Sequence, residues 1–372
     1  ISVVDHLPLR TLDRSLGFDT RHFQDWLDHP VYDEYWKPLN LESRAAEMSV
    51  PALNIGGWYD VFLRSTIGSY SSMKKNAATS DARRGQRLVI GPWPHGWNVK
   101  TNSGEEDFGS DALIDAEAIQ LEFFNYWLKG GAPPSGADVK IFVMGANVWR
   151  EEESWPLERT VYTPFYLHQS GVLTLALPSE EGPPRTYSYN PLNPAPTLGG
   201  NIMRAELRGS FDQRALDHRK DILRFQTAPF QDPFEITGPV RAMLYVATDG
   251  ADTDFMAKLS VVKNDGRVMN LVDGVLRAHF RNGFEKVMPV VPGEIMELDI
   301  DLWATSYQLA EGESLRLDIT SSNFPRLARN LNTGEHFADG VKTRIATQQV
   351  FLSKEYPSHV LLPVIPKDER KF

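Results

Sequence analysis

Along the chain the apolar positions change their period twice. From residue 1 to about 48, Phe23, Trp26, Leu27, Tyr32, Tyr35 and Trp36 recur at roughly helical spacing between breaks such as His29-Pro30, which predicts short helices. From Pro51 short apolar runs alternate with helical segments. Ala52-Leu53-Asn54-Ile55 predicts a buried strand, and Leu63, Ile67 and Tyr70 then follow at helix period. Arg87-Leu88-Val89-Ile90 predicts a second strand, ending at Gly91-Pro92. After a Gly/Ser/acid loop over 102–110, Ala116, Ile119, Phe123 and Trp127 mark a helix that stops at Gly130-Gly131 ahead of Pro133-Pro134. Strand, helix, strand, helix predicts an α/β sheet with parallel strands over residues 49–138.

Beyond about residue 139 the helical period vanishes. Met296, Leu298, Ile300 and Leu302 alternate with Glu297, Asp299 and Asp301, and Leu315, Leu317 and Ile319 alternate with polar partners, the pattern of strands with one wet face. Asn264-Asp265-Gly266 and Asp273-Gly274 read as hairpin or turn signals. The proline-rich stretch 178–200 reads as a long irregular loop. Many short strands over more than two hundred residues predict an all-β sandwich, of jelly-roll type, for 139–372. The fold class is therefore α/β plus all-β.

Composition narrows the function. The 372 residues carry 39 Lys and Arg against 49 Asp and Glu, a net charge of −10, so no basic field exists to hold nucleic acid or an anionic membrane. No apolar run approaches the roughly 20 residues of a membrane span, and a soluble chain is expected. The absence of cysteine removes disulfides, Cys-based zinc sites and thiol nucleophiles together. It leaves the compartment open, with a cytoplasmic setting slightly favoured. The start, Ile1-Ser2-Val3-Val4-Asp5, has neither an initiator Met nor a leader's charged-then-apolar pattern, and reads as an interior cut.

Candidate chemistry collects after the two predicted parallel strands, at Gly56-Gly57-Trp58-Tyr59-Asp60 and at Gly91-Pro92-Trp93-Pro94-His95-Gly96-Trp97. The carboxyl ends of strands in an open α/β sheet border the ligand crevice, so Asp60 and His95 are delivered to one rim. A carboxylate that accepts from one imidazole nitrogen fixes the tautomer and lets the other nitrogen act as general base. Asp60 could equally cap a helix beginning near Phe62, with His95 filling an ordinary loop. The remaining histidines show no zinc-binding spacing, Asp252 with Asp254 could hold a hard cation, Asp299 with Asp301 reads as a solvated strand face, and no nucleotide-binding glycine motif occurs. No metal or cofactor is expected.

These two segments resemble the acid and histidine motifs of the cocaine esterase-like (CocE/NonD) serine hydrolases, within the X-prolyl dipeptidyl-peptidase superfamily. Asp252-Thr253-Asp254-Phe255, Asp273-Gly274 with Arg277, and above all Ser321-Ser322-Asn323-Phe324-Pro325-Arg326 resemble that family's C-terminal jelly roll. The resemblance implies that 1–48 ends a helical cap, that 49–138 is the last part of an α/β-hydrolase domain, and that Asp60 and His95 are triad acid and base. No Gly-x-Ser-x-Gly elbow occurs in the chain, so the nucleophile is expected in an upstream segment or second chain. Ser65, Ser69, Ser71 and Ser72 follow Asp60 in the wrong order and lack the strained turn that exposes a nucleophile.

The resemblance also places Phe62 in the acyl pocket. Val61, Phe62 and Leu63 occupy the stretch where related α-amino-acid ester hydrolases carry acids, so an apolar acyl group is favoured over an ammonium-bearing one. Trp58, Trp93 and Trp97 are candidate pocket walls, though core filling is the favoured use for at least two of them, and Asn201 is a candidate substrate contact. The expected function is hydrolysis of carboxylic esters, or amides, through an acyl-enzyme, on a small-molecule substrate. The alternatives are a non-catalytic carbohydrate- or protein-binding sandwich, and an acylase or X-Pro peptidase of the same superfamily; a homo-oligomer is compatible with either.

Overall fold

The computed structural model describes residues 3–96, 98–179 and 181–369. Leu53–Tyr59 (β1) and Arg87–Pro94 (β2) pair in parallel from Leu53↔Arg87 to Gly57↔Gly91, and the helix Leu63–Asn76 (α1) crosses between them. α1 buries Leu63, Tyr70 and Met73 on one face, as the sequence period requires. Ala116–Lys129 (α2) begins under an Asp115 cap and ends at Gly130 in the left-handed conformation that glycine tolerates.

The sheet does not stop at residue 138. Val139–Val143 (β3) pairs in parallel with β2, and Val148–Glu152 (β4) folds back antiparallel on β3. Two strands from the region read as sandwich thus extend the first sheet. An apolar run such as Val139 to Val143 suits either sheet, and periodicity does not say which one it joins.

From Val161 two sheets stack into a sandwich. One has four strands, in the order Leu223–Gln226, Ser314–Thr320, Asp254–Val262, Val268–Arg277. The other is built around the long strand Phe234–Thr248, which pairs with Met296–Leu309, with Ala346–Val350 and with His359–Ile365. Three sequence expectations change here. The 178–200 loop contains a strand, Arg185–Tyr189, paired with Ala346–Val350. Asp273-Gly274 lies inside a strand, not a turn; a Cβ on Gly274 would stand 2.0 Å from the Asp301 carbonyl oxygen, so the glycine serves a close backbone approach. Ser314–Thr320 has no wet face: Arg316 is buried and bonded to Asp318 at 2.7 Å and to Asp217 at 2.9 Å. The Asn264-Asp265-Gly266 turn lies where expected, with Gly266 at φ 83°.

One continuous core joins the two parts, from Trp58, Leu88 and Phe142 to Leu244, Val261, Leu317 and Val360. A buried fork from Arg150 on β4 to Glu235 (2.8 and 3.1 Å) ties the first sheet to the sandwich. The N-terminal segment, with its helix Arg21–Asp28, is held by Arg10, which bonds Asp28 at 2.7 Å and Asp339 of the sandwich at 2.5 Å.

Candidate active site

Parallel pairing puts the ends of β1 and β2 side by side. The fit is close: a Cβ on Gly57 would lie 2.0 Å from the Trp93 carbonyl oxygen, so only glycine lets the strand tips approach this far. Asp60 leaves β1 in a tight turn in which its amide donates to the Gly57 carbonyl at 3.0 Å. His95 follows β2 directly. Their side chains meet, His95 Nδ1 standing 3.3 Å from Asp60 Oδ1.

The same Asp60 Oδ1 accepts the Phe62 amide at 2.9 Å, at the start of α1. One carboxylate thus makes both contacts the sequence left as alternatives, although the bond to Phe62 closes a turn ahead of the helix: Phe62 is itself the N-cap, and no side chain caps α1. The Asp60 side chain is 8% exposed and that of His95 is 38% exposed. The acid is thus shielded while the imidazole reaches the surface. With Nδ1 turned to the carboxylate, Nε2 is the nitrogen left for another group, and among the described residues no side-chain hydroxyl hydrogen-bonds to it. Phe62, 55% exposed, packs edge to face on the His95 ring at 5.3 Å between centroids.

Two of the three tryptophans take the core-filling use. Trp58 is 0% and Trp93 1% exposed, and their indole N–H groups donate inward to the carbonyls of Phe142 (2.7 Å) and Ala112 (2.9 Å). Both fill core volume behind the strand tips, and Trp93 also borders the cavity beside the His95 loop. Trp97 lies outside the described residues. Asn201 is also buried, at 3%, and its amide donates to the carbonyls of Trp58 (3.0 Å) and Asp60 (2.7 Å). It braces the acid's backbone from beneath.

Sequence reasoning missed Arg208, whose Nη1 donates to the His95 carbonyl. The only hint was the glycine spacing around it, Gly199-Gly200 and Gly209. A cavity of about 330 Å³ flanks the His95 loop, lined by Gly96, Asn98, Lys100, Glu206 and Arg208, without Asp60 or His95 in its wall. Asp254 is held by Arg277 and Asp252 by His279, and Asp299 pairs with Arg241; among the described residues no group of three or more His, Asp or Glu side chains is arranged to hold a metal ion.

Comparison with known proteins bears on this geometry. Residues 134–361 match the X-Pro dipeptidyl-peptidase C-terminal non-catalytic domain, and residues 3–97 match the X-Pro dipeptidyl-peptidase (S15) family, whose match ends just beyond His95. The chain is 37% identical over 358 residues to cocaine esterase of Rhodococcus sp. (strain MB1 Bresler), covering 92% of this chain and 61% of that protein. It superposes on an alpha-amino acid ester hydrolase with a TM-score of 0.87 at 25% identity, covering 97% of this chain and 63% of that one. An aminopeptidase from a marine sediment Thaumarchaeota archaeon shares the fold with a TM-score of 0.86 at 24% identity, over 96% of this chain and 62% of that one. The chain thus spans about three-fifths of the length of these relatives.

Proposed function

Since this chain belongs to the X-Pro dipeptidyl-peptidase (S15) family, on its cocaine esterase-like branch, we propose that it carries the acid and the base of a serine hydrolase acting on carboxylic esters. The observation that carries this reading is the contact of Asp60 with His95 at two neighbouring parallel strand tips, the carboxylate shielded and the imidazole side chain 38% exposed. Asp60 holds the ring in the tautomer protonated at Nδ1 and stabilises the imidazolium. Nε2 takes the proton from a serine hydroxyl as it attacks the ester carbonyl, then returns it to the departing alcohol. Water repeats the cycle on the acyl-enzyme. In this reading the serine comes from polypeptide outside residues 1–372, because the sequence has no Gly-x-Ser-x-Gly elbow.

Phe62 supports an apolar acyl group. It lies two residues beyond the acid, is more than half exposed, and touches the base, so an acyl chain resting there is desolvated beside the reacting carbon. The test is hydrolysis of p-nitrophenyl esters by the full-length protein and its His95→Ala variant. Turnover should fall by about three orders of magnitude or more with an unchanged circular dichroism spectrum. A variant that keeps wild-type turnover ends the assignment.

A further inference from the structure

The carbonyl groups at both strand tips are gripped by side chains from a single loop of the β-sandwich. Asn201 donates to the carbonyls of Trp58 and Asp60, and Arg208 donates to the carbonyl of His95. Both arms stand immediately inside a pinch: Gly200 and Gly209 exchange backbone hydrogen bonds at 2.7 and 3.1 Å, with φ of 100° and 109°. The stem of the loop is anchored on the strand Val268–Arg277. There the Asn270 side chain accepts the Phe211 amide at 2.8 Å and donates to the Gly209 carbonyl at 3.3 Å. The Asp273–Arg326 ion pair stands against Gly200, where a Cβ would come within 3.3 Å of the carboxylate.

We propose that the loop Gly200–Gly209 is a clamp through which the sandwich sets the distance between Asp60 and His95, with Asn201 and Arg208 as positioning residues. This rests on the reading of that pair as acid and base. The pinch fixes where the two arms start, the arms fix the two carbonyls, and the carbonyls fix the two side chains. At 3.3 Å the Nδ1···Oδ1 contact is at the long end of hydrogen-bond range, where a further few tenths of an ångström would break it. The domain matched as non-catalytic thereby takes part in the geometry of the reaction.

Steady-state hydrolysis of p-nitrophenyl esters by the full-length protein tests this with Asn201→Asp, Asn201→Ala, Arg208→Ala and Arg208→Lys, alone and combined with Asp60→Asn. Asn201→Asp keeps the shape and replaces two donated hydrogens by an acceptor. It and Arg208→Ala should lower kcat by about 10- to 100-fold with KM within about twofold, the cost of misplacing a catalytic pair. Arg208→Lys, which keeps one donor, should restore most of the loss. In the Asp60→Asn background the Asn201 substitutions should cost less than about twofold, because they act through the acid. Asn201→Ala gives the same readout if the aspartate variant does not fold. Undiminished kcat in the single variants, or a full additive loss in the Asp60→Asn background, overturns the clamp. If Asp60→Asn and His95→Ala themselves leave kcat unchanged, the underlying acid and base reading fails instead.

Discussion

At the scale of residues, one oxygen of Asp60 accepts the Phe62 amide in the turn ahead of α1 and meets the His95 ring, which in the proposed function it orients. Asp60→Asn keeps the acceptor for that turn but presents the wrong partner to the imidazole. It should therefore cost about 10⁴-fold in kcat, the size seen when a triad acid is made an amide, while the urea midpoint moves little; a large loss of stability with modest loss of kcat would reverse that order. Phe62→Ala should lower kcat/KM for bulky apolar acyl esters by about tenfold, near 1.4 kcal/mol, and leave acetyl esters almost unchanged; equal losses on both would remove Phe62 from the acyl pocket. That Asp60 and His95 meet was legible because strand ends in an α/β sheet share a rim; the acyl-pocket place of Phe62 rests on the resemblance to a family. The burial of Trp58 and Trp93, and the inward bonding of Asn201, were not. Burial is decided by what packs on top: Phe142 and Trp155 against Trp58, Ala112 and Trp149 against Trp93, and for Asn201 strand tips more than a hundred positions upstream.

Among the elements, the approach of β1 to β2 sets the site, and Gly57 is its tightest point. Gly57→Ala would drive a methyl group into the Trp93 carbonyl, so the strands must part. We expect about 1–3 kcal/mol lost in urea unfolding together with a fall in kcat; an unchanged midpoint would show that the tips have room to spare. The period of apolar residues placed β1, α1, β2 and α2 correctly: the helices bury one face each, while the strands are buried over consecutive residues. It could not place Val139–Val143 and Val148–Glu152, which extend the α/β sheet and not the sandwich. Nor could it find that Arg316 and Asp318 are buried: alternation marks two faces, and whether the second face is wet depends on a neighbouring strand and on ion pairs the pattern does not encode.

Across the whole molecule, the sandwich and the α/β sheet share one core, and the phenols buried in it make the protein sensitive to alkali. Burial pushes the Tyr59, Tyr187, Tyr189 and Tyr307 hydroxyls up from the usual phenol range. The unfolded chain releases these protons near pH 10 while the folded one retains them. Their contribution is therefore complete below about pH 10 and is lost as pH rises beyond it, at about 1.4 kcal/mol per pH unit for each phenol. Buried Lys258 is pushed down by desolvation and acts with the opposite sign as pH approaches its ordinary value, one group against several. Urea midpoints should fall steeply above pH 10, less so in Tyr59→Phe; a flat profile to pH 11.5 would contradict this. The central proposal is that Asp60 and His95 serve a serine outside residues 1–372. Labelling the full-length protein with a fluorophosphonate, then mapping the adduct and its rate by mass spectrometry, tests it most directly. We predict a single modified serine outside residues 1–372, with labelling slowed at least about a thousandfold by His95→Ala. An adduct on Ser65, Ser69, Ser71 or Ser72, or a rate indifferent to His95, would contradict the account.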